Sequence, residues 1–98
     1  MDAPTFEWDA AKAAANLRMH GVSFEEAATV FQDPLATIHS DPDHSASEER
    51  AILIGHSTAG RLLLVAFTDR QDRIRLISAR AATQRERKDY EESRQKRS

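Results

Sequence analysis

The sequence predicts an α+β fold: an antiparallel sheet with two N-terminal helices and a polar C-terminal helix. Three observations lead there. Residues 10–20 and 24–31 repeat apolar side chains at helical spacing behind capping signals. Residues 50–56, 61–68 and 73–78 are apolar or alternating, as strands are. Only Ser57–Gly60 and Asp69–Asp72 separate these three stretches, and turns so short imply antiparallel pairing, because a parallel pair needs a long crossover. The 98 residues fit one domain spanning 1–98, with a charged tail from about residue 92.

The elements follow in order. Thr5–Asp9 alternates polar and aromatic residues, so it reads as a short strand with Phe6 and Trp8 inward. Asp9 is placed to cap a helix over 10–20, in which Ala10, Ala13, Ala14 and Leu17 recur at helical spacing and Gly21 ends it in a left-handed conformation. Ser23-Phe24-Glu25-Glu26 has the spacing of a capping box, with Val22 and Ala27 as its hydrophobic staple. This second helix shows Phe24, Ala27, Ala28 and Phe31 on one face and stops before Asp33-Pro34, since the residue before proline resists the helical region. Leu35–His39 is a further candidate strand, and the polar stretch 40–47 reads as a loop. Arg61–Thr68, nearly all apolar, is expected to be the central strand. Thr83-Gln84-Arg85-Glu86 is a second capping box, opening a helix to about Gln95. That helix is unusual, because after Ala82 its only large apolar side chain is Tyr90. It gains little from docking on its own core, so it lies partly in solvent or against a partner.

Composition narrows the function classes. The chain has no cysteine, which removes disulfides, thiolate nucleophiles and cysteine-ligated metals. It opens on Met1-Asp2-Ala3-Pro4 without a basic, then apolar, leader, and no apolar run is long enough to cross a bilayer, so the expected location is cytoplasmic, with no membrane partner. The net charge of −2 hides an asymmetry: residues 1–49 hold two basic and ten acidic side chains, residues 50–98 twelve basic and six acidic. Eleven of the fourteen basic residues are arginine, whose rigid donor fork matches phosphate and carboxylate, so a polyanionic partner stays open. GxGxxG, GxxxxGK[ST] and GxSxG are absent, leaving dinucleotide binding, nucleotide hydrolysis and serine-hydrolase chemistry without support.

Several residues are candidates for chemistry. Arg73 and Arg75 share one strand face, Arg61 opens the neighbouring strand and Arg80 leaves the last one. Four arginines near one sheet surface can hold phosphates and stabilise charge developing on phosphorus; the plainer account is a solvated sheet face. His20, at a helix C-terminus, suits proton transfer or phosphate binding, or simply caps the helix. Lys12 lies two turns before it on roughly the same face. In Glu48-Glu49-Arg50, Glu49 is a candidate base, unless it only pairs with an arginine. Asp41-Pro42-Asp43-His44 with Glu48 resembles a metal-ligand set in composition alone and lacks any metal-site spacing, so no metal and no cofactor is expected.

Together the motifs resemble the BrnT family. The resemblance runs through Phe6-Glu7-Trp8-Asp9, Lys12, Asn16 and His20-Gly21-Val22-Ser23-Phe24-Glu25-Glu26-Ala27. It continues in Phe31-x-Asp33-Pro34, Glu48-Glu49-Arg50, Gly55 and Gly60-Arg61-Leu62-Leu63-x-Val65. It ends in Ile74-Arg75-x-Ile77-Ser78-Ala79-Arg80, Ala82-Thr83, Glu86-Arg87 and Tyr90, about residues 6–91 in all. The resemblance implies a RelE-like fold and a ribonuclease toxin of a type II toxin–antitoxin module, acting without a metal and suppressing translation. It implies a BrnA-type ribbon-helix-helix antitoxin as partner, operator DNA reached only through that antitoxin, and RNA as substrate, free or on the ribosome. On that reading His20, Glu49, Arg61 and Arg80 are the catalytic candidates and Lys12, Arg50, Arg73 and Arg75 bind RNA, while Arg87 and Tyr90 face the antitoxin. Two alternatives stand beside it: a non-catalytic module binding nucleic acid or protein, and a degenerate toxin retained for promoter autoregulation.

Overall fold

The computed structural model describes residues 4–40 and 50–96. The elements are β1 (Thr5–Glu7), α1 (Ala10–His20), α2 (Phe24–Thr29) continued by a 3-10 turn (Val30–Gln32), β2 (Thr37–Ser40), β3 (Arg50–His56), β4 (Leu62–Arg70), β5 (Arg73–Ala81) and α3 (Gln84–Lys96). The loop expected over 40–47, its acidic cluster and Glu49 fall almost entirely outside the described residues.

Five strands form one sheet in the order β1-β5-β4-β3-β2, so β4 is central as its apolar run predicts. The pairs β2–β3, β3–β4 and β4–β5 are antiparallel, but β1 joins β5 in parallel, Phe6 opposite Ile74. The sheet is therefore mixed, not antiparallel throughout. Short turns set the direction of the later strands, whereas α1, α2 and three strands separate β1 from β5 and leave its direction free.

Local signals set the helix ends. The Asp9 carboxylate accepts from the Ala11 N–H at 3.1 Å, and Gly21, at φ 69°, donates its N–H to the Leu17 carbonyl. The Ser23 hydroxyl accepts from the Glu26 N–H at 3.0 Å. Glu26 does not complete the box; its carboxylate turns instead to Ser57 and Arg61. The Thr83 box closes both ways, with the Glu86 N–H donating to Thr83 Oγ1 and the Thr83 N–H to Glu86 Oε1.

The core lies between α2 with its 3-10 turn and one sheet face. Val22, Phe24, Ala27 and Val30 pack on Leu53, Leu63, Val65, Phe67, Leu76 and Ala79. Phe31 bridges Phe6 and Phe67 edge-on, at 5.1 Å from each ring centre, and Trp8 meets Phe24 the same way. A bulge at Ala66/Phe67 leaves Ile77 unpaired and brings both Leu76 and Ala79 to the core side. The opposite side then carries Arg73, Arg75, Ser78 and Arg80 on β5, Leu64, Ala66 and Thr68 on β4, and Arg50, Ile52 and Ile54 on β3. α1 runs beside β5 where β1 no longer covers it: the buried Asn16 accepts from the Ala79 N–H and donates to the Ala79 carbonyl, as a neighbouring strand would.

Candidate active site and nucleic-acid interface

Two adjoining hollows mark the sheet face opposite the core. One, of about 90 Å³, is lined by His20, Ile52, Leu64, Ala66, Ser78 and Arg80, with Ala79 at its edge. The second, of about 180 Å³, lies between the sheet and α3. Leu64 belongs to both, and the Arg80–Glu86 pair joins them. The docking of α1 on the β5 edge through Asn16 is what carries His20, at the end of α1, to the first hollow.

Arg80 is held rather than loose. Its two terminal nitrogens each donate to one Glu86 oxygen at 2.8 Å, a bidentate fork. Arg80 together with the Thr83 N–H draws the Glu86 carboxyl down to about 2, against the cost of burial. Glu86 is thus at once the cap of α3 and the partner of Arg80. The guanidinium has five N–H groups; Glu86 takes two and the Ala81 carbonyl a third, so two remain for a second anion.

The other arginines divide. Arg75 and Arg73 lie on this face, and each donates to a Glu7 oxygen at 3.3 Å. Arg73 and then Arg75 lower the Glu7 carboxyl. Arg50, Thr68 and Arg75 form a row across three strands. Thr68 is 4% exposed and its hydroxyl has no partner among the described residues, an orphaned polar atom between two arginines. Arg61 is not part of this surface, contrary to the expected convergence of four arginines. It sits in the β3–β4 turn and donates to both Glu26 oxygens and to the Gly21 carbonyl, tying α2 and the end of α1 to the sheet. Arg61 and Ser57 keep the Glu26 carboxyl low. Its partners lie far away in sequence, so nothing local to Arg61 announces that role.

Lys12 is exposed on α1, and Arg87 is exposed on α3. Tyr90, expected to face a partner, is 5% exposed. Its hydroxyl donates to the Leu35 carbonyl at 3.2 Å, its ring lies edge-on to His56 at 5.8 Å, and it anchors α3 to the sheet. The sequence marks Asp33 only as a helix stop and part of the family pattern, and gives His56 no functional signal. The Asp33 carboxylate accepts the His56 and Leu35 N–H groups, which together outweigh burial and lower its pKa. Glu86 announces itself in sequence as a cap and as part of the family pattern, but its spacing of six from Arg80 carries no local signal for a pair.

The model of a family of ribonuclease toxins, BrnT, of type II toxin–antitoxin systems matches residues 8–86. The chain belongs to the BrnT family. A similar solved structure is the 1.1 Å crystal structure of the Brucella abortus ribonuclease toxin BrnT: 24% identity, TM-score 0.63, covering 84% of this chain and all of that one. That likeness shows a shared fold. No curated protein matches the chain in sequence. The BrnT segment takes in His20, Arg50, Arg61, Arg75, Arg80 and Glu86, and it ends before Asp89, Tyr90 and Ser93.

Proposed function

We propose that the chain is the RNA-cleaving toxin of a type II toxin–antitoxin module, an endoribonuclease that needs no metal. One observation carries the reading beyond family membership: His20 and Arg80 line one hollow on an arginine-bearing sheet face. RNA lies along that face with its phosphates on Arg80 and on Arg50 and Arg75, which flank Thr68 across three strands. Arg73, two residues before Arg75 on the same strand face, adds a further cation, and Lys12 on α1 serves the RNA backbone. A base takes the proton of the ribose 2′-hydroxyl, O2′ bonds to phosphorus, and the P–O5′ bond breaks. O5′ leaves with a proton, and the products are a 2′,3′-cyclic phosphate and a 5′-hydroxyl. An imidazole nitrogen can accept or donate a proton, so His20 serves one transfer, and Glu49, directly before Arg50, is the candidate for the other. Arg80 stabilises the charge on the equatorial oxygens. Arg61, a catalytic candidate by sequence, acts here by holding Gly21 and so the end of α1 that presents His20.

In the cell this activity removes messages and inhibits translation. A BrnA-type antitoxin with a carboxylate-rich segment neutralises it by covering the arginines, and the pair reaches operator DNA through the antitoxin. The fold falls within the RelE-like group on this reading. Purified protein incubated with RNA in EDTA is expected to leave cyclic-phosphate ends, and His20→Ala to slow cleavage by about 10²–10⁴. RNA left intact both free and on translating ribosomes overturns the proposal. The internal pairing of Arg61, Arg73, Arg75 and Arg80 favours one rival, a non-catalytic binding module, which predicts RNA binding with no cleavage to lose.

A further inference from the structure

We propose that the groove under α3 is a base subsite that takes a guanine next to the scissile phosphate. This rests on the reading of the sheet face as the RNA site, and it adds what that face selects. Glu86, Asp89, Tyr90 and Ser93 follow one another at i, i+3, i+4 and i+7, so they form one stripe, and all four line the groove. The helix thus turns toward the sheet a face that is mostly polar, with Tyr90 as its single large anchor. A stripe of that kind is poorly suited to holding a helix and well suited to reading a ligand.

The groove has the layout of a base pocket. Ile54 and Leu64 supply an apolar floor for the flat face of a ring, and His39 is exposed at its rim. Its two carboxylates are not equivalent. Glu86 is spent on Arg80 and on the Thr83 N–H. Asp89 makes no hydrogen bond or ion pair among the described residues, so its two oxygens remain as acceptors. A carboxylate needs two parallel donors from a base edge. Guanine supplies them from N1–H and the 2-amino group. Adenine and cytosine set one amino group beside a ring acceptor, and uracil flanks its single N–H with two carbonyls, so each of the three turns a lone pair toward Asp89. The shared Leu64 and the Arg80–Glu86 pair place this pocket directly beside the phosphate hollow, as a base lies beside its own phosphate.

The test uses short RNAs identical except for guanine or inosine, which lacks the 2-amino group, placed in turn on the 5′ and 3′ side of the cleaved bond. Cleavage is followed by kcat/KM. Affinity is measured separately with a 2′-deoxy nucleotide at the scissile position, so that binding is read whether or not the chain cleaves. Guanine is expected to exceed inosine by about tenfold on one side, and Asp89→Asn to bring that ratio close to one. Equal values for guanine and inosine in the unaltered protein overturn the subsite, as does a ratio that survives Asp89→Asn. Absence of cleavage with the guanine preference intact in binding counts against the ribonuclease reading and leaves the subsite standing.

Discussion

Asn16 makes three hydrogen bonds with both ends of one short side chain. Nδ2 donates to the Val22 and Ala79 carbonyls at 2.9 and 2.8 Å, and Oδ1 accepts the Ala79 N–H at 3.1 Å. Aspartate lacks the donors and leucine both functions. Asn16→Ala leaves buried backbone groups of β5 unpaired and is expected to cost about 2–4 kcal/mol, read as a lower urea midpoint with an unchanged slope. Gly55 is constrained by space rather than by backbone angle. A Cβ there would stand 2.7 Å from the Ala36 Cβ, 2.9 Å from Asp33 Oδ2 and 3.1 Å from Val30 Cγ1. Gly55→Ala must push β3 away from the loop that carries Asp33, and is expected to cost about 1–3 kcal/mol in thermal unfolding.

α3 is held by few contacts: the Thr83 box, the Arg80–Glu86 pair and Tyr90. Thr83→Ala removes a cap worth about 1 kcal/mol. Local opening of so lightly docked a helix should show first, so amide exchange within α3 is expected to quicken while β4 stays protected. The pair also sets a pH dependence. Glu86 titrates near 2 in the folded chain against an ordinary 4.5, so its contribution is complete above about pH 4.5 and disappears as pH falls toward 2. The difference in Tm between the unaltered chain and Glu86→Gln is therefore expected to be full at pH 6 and to close near pH 2.

Across the whole molecule, the basic half of the sequence becomes mainly β3, β4, β5 and α3, and the arginines of β5 with Arg50 line the face opposite the core. The near-neutral total thus conceals a directional surface, partly answered by the chain's own Glu7 and Glu86. Three phosphates on Arg50, Arg75 and Arg80 give a slope of log affinity against log salt of about −2 for single-stranded RNA, and Arg75→Ala should make it shallower by about 0.7. A slope near zero is incompatible with RNA lying on this face.

The parts of the fold legible in the chain are those decided within a few residues. The Asp9 and Thr83 caps, the Gly21 stop, the alternation of β3 to β5 and the central place of β4 all depend on neighbours in the chain. The spaced residues of the BrnT family were legible in the same way. The rest comes from contacts between residues far apart in the chain. Asn16 meets Ala79 across 63 residues, Arg75 meets Glu7 across 68, and Arg61 reaches Glu26 across 35. Such contacts leave no periodic trace, because each partner chosen by packing is local to neither end. This is why β1 turned out parallel, why Arg61 became a clamp rather than part of the phosphate surface, and why a helix with almost no apolar face proved to wall a groove.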